Sequence, residues 1–168
     1  NNTHIDRGVL EYFIKEHGVQ TMVDIGCGPG GMVDLATELG VKVIGIEGDK
    51  TLPYHPRVLV HDYTTGPSRL HLDKLDLAWS VEFLEHVEEK YLPNYMADFQ
   101  QCKMVVCTAA PPGHPGHHHV NCKPMMYWAT KFEEFGFYLD YRLTNKVREV
   151  STMIKPFMQT TGMVFVAS

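Results

Sequence analysis

One short segment, residues 21–31 with the sequence TMVDIGCGPGG, constrains the fold of this chain most. It begins with apolar residues that suit a buried strand and ends in glycines, which let the backbone turn sharply and pass close to a ligand. Residues 32–39 carry apolar side chains at helical spacing and stop at Gly40, which is typical of a helix end. A strand, a glycine loop and a helix in this order indicate an α/β sheet that binds its ligand at the carboxyl ends of the strands.

The glycine loop has the spacing of a dinucleotide site but not its charge. Gly26, Gly28 and Gly31 match the G-x-G-x-x-G pattern of dinucleotide-binding proteins. Asp24 places a carboxylate just before the loop, where it would repel a phosphate but can accept hydrogen bonds from an ammonium group. Pro29 removes one backbone N–H from a loop that would otherwise hold an anion with such donors. The loop therefore favours a cationic nucleotide without phosphates.

Two runs carry a resemblance to a known family. VDIGCGPG resembles the first motif of class I S-adenosylmethionine (SAM)-dependent methyltransferases, and EFLEHV is similar to the E-x-L-E-H-V stretch after strand 4 of many small-molecule members. Two matches at the expected separation are stronger than either alone. The resemblance implies SAM as cofactor and a three-layer, Rossmann-like α/β sandwich. Its seven-stranded sheet would be mostly parallel, with an antiparallel last strand.

Cofactor contacts are expected where the first four strands end. Glu47 lies roughly 20 residues past the first glycine, where an acid can hydrogen-bond both hydroxyls of a ribose. The resemblance implies that Asp62 accepts from the adenine amino group and that Tyr63 offers a backbone N–H or its ring. It also places Ser80 and Val81 beside the methionine end of SAM. The full expected set is Asp24, Gly26, Cys27, Gly28, Gly30, Glu47, Gly48, Asp62, Tyr63, Ser80 and Val81.

A loop rich in histidine follows the fifth predicted strand, at the same edge of the sheet. Residues 109–121, AAPPGHPGHHHVN, carry His114, His117, His118 and His119. Consecutive residues point in different directions, so zinc is disfavoured and no metal site is predicted. A solvated linker and a substrate contact both remain open. We favour substrate contact with His119 or His117 as general base, because imidazole titrates near neutral pH and a hydroxyl nucleophile must lose its proton.

His86, within EFLEHV, is the third candidate base. The resemblance implies that Glu85 and His86 face the substrate or, in some relatives, a divalent metal. The alternative for His86 is a histidine at a helix start with a local hydrogen bond.

The remaining periodicity predicts one domain over residues 1–168. Residues 51–56, with two prolines, are too broken for a helix between the second and third strands. The last two strands are expected to be joined by a hairpin-like connection, with residues 144–161 as a flap or a partner surface. Further strands are predicted over 41–46, 57–60, 75–79, 103–108, 137–143 and 162–167, and helices over 4–17, 90–101 (exposed) and 124–135.

Composition limits the partners. A formal charge of -5 and a pI near 6.0 disfavour a large nucleic-acid surface. The longest apolar runs are too short for a membrane span. The four cysteines form no C-x-x-C pair, which indicates reduced thiols and a cytoplasmic location.

The sequence therefore predicts a SAM-dependent methyltransferase that acts on a small-molecule or carbohydrate acceptor, at a hydroxyl. A nucleic-acid methyltransferase is an alternative, but residues 80–83, SVEF, replace the N/D-P-P-Y motif of amino-methylating DNA enzymes, and a K-D-K-E set is not evident. A SAM-binding module without turnover is the other alternative.

Overall fold

A computed structural model describes residues 4–168, which contain one seven-stranded sheet between two layers of helices. The strand order is β3-β2-β1-β4-β5-β7-β6. The strands are β1 (Thr21–Ile25), β2 (Lys42–Glu47), β3 (Val58–Val60), β4 (Leu75–Ser80), β5 (Cys102–Cys107), β6 (Phe137–Leu139) and β7 (Met163–Ala167). The α-helices are α1 (Arg7–His17), α2 (Gly31–Glu38), α3 (Leu92–Phe99), α4 (Met125–Glu134), α5 (Tyr141–Val150) and α6 (Phe157–Thr161).

The sheet has the predicted directions. Strands β3, β2, β1, β4 and β5 pair in parallel, and β7 runs antiparallel between β5 and β6. The winding direction switches between β1 and β4, because β2 follows on one side of β1 and β4 on the other. The loops after β1, β2, β4 and β5 therefore meet at one edge. The predicted Rossmann-like α/β sandwich is confirmed.

Each face of the sheet buries an apolar core. On one face, α3 and α4 pack against the strands, and the rings of Phe132 and Phe165 stack with their centroids 3.9 Å apart. On the other face, α1, α2 and α5 surround Phe13, Met32 and Trp79. All four cysteines are free thiols. Within residues 4–168, each helix is too short or too polar to reach across a lipid bilayer.

The region after β6 differs from the prediction. The alternation of Phe137, Leu139, Tyr141 and Leu143 is typical of a strand, but the strand ends at Leu139. The Asp140 carboxylate accepts a hydrogen bond from the Leu143 N–H, so it caps α5 and starts a helix. The expected hairpin-like connection and flap are therefore wrong, since α5 and α6, with residues 151–156 between them, form the connection and α5 packs on the sheet.

Helix α3 was expected to be exposed and is not. A short 3-10 turn, Glu89–Tyr91, precedes it, so the α-helix begins at Leu92. Leu92, Tyr95, Met96 and Phe99 lie at helical spacing and are buried in the core. The predicted lack of a helix over residues 51–56 is confirmed.

The side chain of Asp6 fastens α1 to the segment after α5. Asp6 is fully buried, and its Oδ1 accepts from the Val9 N–H at 3.1 Å, which caps α1. The same oxygen accepts from the Thr152 N–H at 2.9 Å, and the Ser151 hydroxyl donates to Oδ2. One carboxylate thus satisfies donors that are far apart in the sequence.

We expect Asp6→Ala to lower the free energy of unfolding by roughly 2–3 kcal/mol, because it removes a helix cap and leaves the Thr152 N–H without its acceptor. Urea titration measures the change. Asp6→Asn keeps the Oδ1 acceptor and should lose less. Glu11→Ala, at an exposed position of the same helix, is the control, and an equal loss in that variant would contradict the assignment.

Candidate functional site

The loop after β1 approaches β2 and β4 closely because it lacks side chains at critical positions. Gly26 has a φ of +77°, and its N–H donates to the Ile46 carbonyl at 2.8 Å. A Cβ at Gly26 would lie 2.4 Å from the Phe83 ring, so only glycine fits beneath that ring. Gly30, with a φ of +98°, opens α2. The sequence favours this turn because glycine tolerates positive φ.

Glu47, at the end of β2, holds this loop in place. Its Oε1 accepts from the Gly28 N–H at 2.9 Å, and its Oε2 accepts from the Asp49 N–H at 2.8 Å. Each carboxylate oxygen has a second lone pair, so both can accept a further hydrogen bond from a ligand. Glu47 is half-buried and faces a cavity.

The Asp24 carboxyl lies deeper, between β2 and β4. It pairs in register with Gly45 and Trp79 and is only 3% exposed. Burial, and then the negative charge of Glu47, raise the pKa of Asp24 to about 8. At neutral pH the Asp24 carboxyl therefore keeps its proton.

These residues border a cavity of about 930 Å³ at the carboxyl edge of the sheet. Most of the predicted cofactor and catalytic residues form its wall. They are Asp24, Gly26, Cys27, Gly28, Glu47, Gly48, Asp62, Tyr63, Val81, His86 and His117.

Three predicted residues do not form that wall. Ser80 is fully buried, and its hydroxyl donates to the Ile25 carbonyl at 2.8 Å, so it joins β4 to β1. Gly30 is buried at the start of α2. The His119 ring packs edge-on against His86, with centroids 5.0 Å apart.

The far end of the cavity is formed by the turn after β3. The Asp62 carboxylate accepts from the N–H and the hydroxyl of Thr64, which caps a short 3-10 turn. The Tyr63 hydroxyl donates to Asp98 at 2.6 Å, so its phenol is anchored in the interior while the residue still borders the cavity. Phe83 packs edge-on against Tyr63.

The sequence prediction missed several wall residues. Phe83 lies inside EFLEHV, so its place after β4 was readable, but nothing in the spacing says that its ring covers Gly26. His4 and His61 also border the cavity and belong to no recognisable motif.

A second group of polar side chains adjoins this cavity through His86. One oxygen or nitrogen each from Glu85, His86 and His119 lies within 4.8 Å of the others. Glu85 and His86 belong to the 3-10 turn Leu84–His86 after β4, and His119 comes from the histidine loop after β5. The Glu85 carbonyl accepts from the N–H groups of Val120 and Asn121 at 2.9 and 3.0 Å, which ties the loop to the turn.

The charges of this cluster are strongly affected by burial. Glu85 is fully buried, and burial together with the nearby Glu82 carboxylate raises its pKa to about 8. Burial and the charge of His119 lower the pKa of His86. His117 and His118 border the cavity, while His114 lies elsewhere on the loop.

A second cavity, of about 610 Å³, lies on the other side of Glu82. Glu82 borders both cavities, and its backbone has an uncommon φ of +54°. The Thr108 hydroxyl accepts from the Glu82 N–H and donates to its Oε2 at 2.8 Å, which fixes the carboxylate. The wall of this second cavity also includes the cations Lys123 and Arg148.

We expect Asp24→Asn to stabilise the free protein increasingly as pH rises. Between the unfolded pKa of 3.8 and the folded pKa of about 8, the folded state holds a proton that the unfolded chain has lost. Wild-type stability therefore falls with pH, by at most about 1.4 kcal/mol per pH unit, and this term is absent in the variant. Urea unfolding at about pH 5 and about pH 8 measures the difference. Asp73→Asn, at an exposed position, is the control. If the gain in unfolding free energy of Asp24→Asn over the wild type does not grow with pH, the raised pKa of Asp24 is contradicted.

No family model matches the chain, and no curated protein matches it. Solved structures do match. A TehB-like SAM-dependent methyltransferase from Corynebacterium glutamicum superposes with a TM-score of 0.66 at 17% identity, covering 97% of this chain and 89% of that one. The methyltransferase domain of bacterial CtHen1-CN has a TM-score of 0.62 at 15% identity and covers 96% of both chains.

The Burkholderia thailandensis 1,6-didemethyltoxoflavin-N1-methyltransferase, solved with S-adenosylhomocysteine, is also similar. Its TM-score is 0.66 at 14% identity, with 96% of this chain and 77% of that one covered. At such identities a likeness shows the fold alone. Residues 4–168 therefore have the fold of class I SAM-dependent methyltransferases.

Proposed function

We propose that this chain binds SAM in the larger cavity and transfers its methyl group to a small-molecule acceptor. The observation that carries the proposal is the charge of the wall. Five acids border the cavity, and no Lys or Arg of the described chain does so. Such a wall repels a dinucleotide pyrophosphate and attracts a sulfonium and an ammonium group. The five acids are Asp24, Glu47, Asp49, Asp62 and Glu82.

Side chains along the wall support a proposed orientation of SAM in the larger cavity. Glu47 offers two carboxylate oxygens to the ribose hydroxyls while it keeps the glycine loop in position. Asp24 is assigned to the ammonium group of SAM, and the positive charge of that group would favour the ionised form of the Asp24 carboxyl. The adenine is assigned to the side of Asp62, Tyr63 and Phe83. Gly30 and Ser80 shape the site from behind its wall.

The smaller cavity suits the acceptor. It adjoins the SAM cavity at Glu82, and its wall combines apolar side chains such as Met125 and Phe157 with the cations Lys123 and Arg148. The Arg148 Nε–H donates to the Gly162 carbonyl, and burial lowers the pKa of this guanidinium. Among residues 4–168, no carboxylate lies within 4.0 Å of the charged groups of Lys123 or Arg148. We infer an acceptor with an apolar body, a hydroxyl and a negatively charged group.

The reaction requires little covalent help from the protein. The acceptor oxygen attacks the methyl carbon in line, the carbon–sulfur bond breaks, and its electron pair leaves the sulfur neutral. Holding donor and acceptor at attack distance can lower the barrier by about 7–11 kcal/mol. The hydroxyl proton must also leave, and the imidazoles of His86, His117 and His119 lie on or beside the cavity wall to promote this step.

We expect Glu47→Ala to abolish binding of S-adenosylhomocysteine and Glu47→Gln to weaken it by about 100-fold. An amide offers one acceptor oxygen in place of two charged ones, a loss of roughly 3 kcal/mol. Isothermal titration calorimetry measures the affinity. Glu38→Gln, on the exposed side of α2, should bind like the wild type. Binding of NADH without binding of S-adenosylhomocysteine would overturn the proposal.

The acceptor assignment is tested by comparing hydroxylated aromatic carboxylates with their uncharged amides. We expect faster release of S-adenosylhomocysteine with the carboxylates, because Lys123 and Arg148 favour an anion. Lys123→Met should reduce this preference several-fold while uncharged acceptors react as before. The same assay is run with RNA oligonucleotides as acceptors, at low and at physiological salt. Methylation of RNA alone would refute the small-molecule assignment, and intact SAM with every acceptor would indicate a binding module.

A further inference from the structure

Glu85 is the most unusual buried group in the described part of the chain. Its side chain is fully buried, and no N–H or O–H of residues 4–168 lies in good hydrogen-bonding geometry to either carboxylate oxygen, although the backbone N–H groups of Glu85 itself and Ala110 favour its charged form. The nearest charged partner is the His86 Nε2, 3.8 Å from Oε1, which is too far for a hydrogen bond. A buried carboxylate with so little hydrogen bonding is stabilised by a nearby cation, and a metal ion is one such cation.

The two imidazoles beside Glu85 are turned so that their free nitrogens can bind a cation. The His86 Nδ1 lies 3.1 Å from the His118 carbonyl, and the His119 Nδ1 lies 3.1 Å from the His114 carbonyl. A carbonyl can only accept, so each Nδ1 carries the proton and each Nε2 keeps its lone pair in the neutral ring. Metal-binding histidines show this arrangement, in which a backbone carbonyl fixes the ring from behind.

The three ligand atoms are close enough for one ion. They lie within 4.8 Å of one another, a separation that a single ion bound at about 2.0–2.2 Å to each atom can bridge after small side-chain adjustments. Zinc is disfavoured for the histidine loop alone because its consecutive residues point in different directions. Here only His119 comes from that loop, and Glu85 and His86 come from the turn after β4.

We propose that Glu85, His86 and His119 bind one divalent transition-metal ion of the zinc or cobalt type. Two imidazole nitrogens and one carboxylate favour such an ion over magnesium or calcium, which prefer oxygen ligands. Three protein ligands leave at least one coordination position open, as in catalytic zinc sites. The ion would give the buried Glu85 carboxylate a positively charged partner.

The site also gives the histidines a role in the proposed reaction, and this step rests on the proposed function. His86 borders the SAM cavity, and Glu82 stands between the two cavities nearby. An acceptor hydroxyl bound at the open position loses its proton to solvent more readily, because the ion lowers its pKa. The oxygen then forms the bond to the methyl carbon while the carbon–sulfur bond breaks. With the ion bound, His86 and His119 would act as its ligands, which replaces the role of general base considered for them above.

Direct titration with Co²⁺ tests the site without any substrate. After chelation and dialysis, the full chain should take up one Co²⁺ and develop visible d–d absorption, which Zn²⁺ should displace. We expect His119→Ala and Glu85→Gln to weaken Co²⁺ binding by on the order of 100-fold or more. His114→Ala is the matched control, since it lies on the same loop and the variant keeps the carbonyl that contacts His119.

The outcomes separate this proposal from the proposed function. His119→Ala alters a residue of the loop, so circular dichroism should show an unchanged fold even where Glu85→Gln does not fold. Absence of Co²⁺ binding by the wild type, or equal binding by His119→Ala, would overturn the metal site. Binding of S-adenosylhomocysteine by the metal-free chain, measured separately by calorimetry, would leave the cofactor assignment standing in that case. Co²⁺ binding without binding of S-adenosylhomocysteine would support the metal site and overturn the cofactor assignment.

Discussion

The edge of the parallel sheet collects acids, and the site depends on how their repulsion is managed. Because β1 and β2 are parallel neighbours, Asp24 near the end of β1 and Glu47 at the end of β2 lie close together at the same edge of the sheet. Glu47 meets this constraint by accepting from two backbone N–H groups, whereas Asp24 meets it by keeping its proton. The two acids therefore lie side by side without facing each other as two bare charges, and Glu47 at the same time fixes the shape of the glycine loop.

Much of the architecture could be predicted because it depends on local pattern. Apolar runs ended by glycine or acids mark β1 and β2, and the positions of Asp24 and Glu47 follow from where those strands stop. The local pattern led to a wrong prediction where the same residues fit both the two-residue period of a strand and the 3.6-residue period of a helix. FYLDYRL alternates like a strand, but Leu143 and Val147 lie one helical turn apart and both are buried, so packing against the sheet selects a helix.

The parts of the site that were not predicted depend on contacts between residues that are far apart in the sequence. Spacing does not tell whether a residue at a strand end faces the loop or the neighbouring strand, and the Ser80 hydroxyl bonds the β1 backbone. The meeting of Glu85 with His119 likewise requires that the loops after β4 and β5 be joined. That junction is made by two hydrogen bonds to one carbonyl, which no sequence pattern encodes.

The two cavities share the histidine loop after β5 but otherwise are built from different parts of the chain. The larger one is built from the loops after β1 to β4 with the histidine loop, and the smaller one from the loop after β5, α4, α5 and α6, with Glu82 as the one shared wall residue of those described. Substitutions at wall residues from Lys123 onward can therefore reshape the smaller cavity, because no described residue beyond His118 borders the larger one. With SAM and the acceptor in the cavities proposed for them, such substitutions would change which acceptor binds and leave the residues that contact the cofactor unaltered.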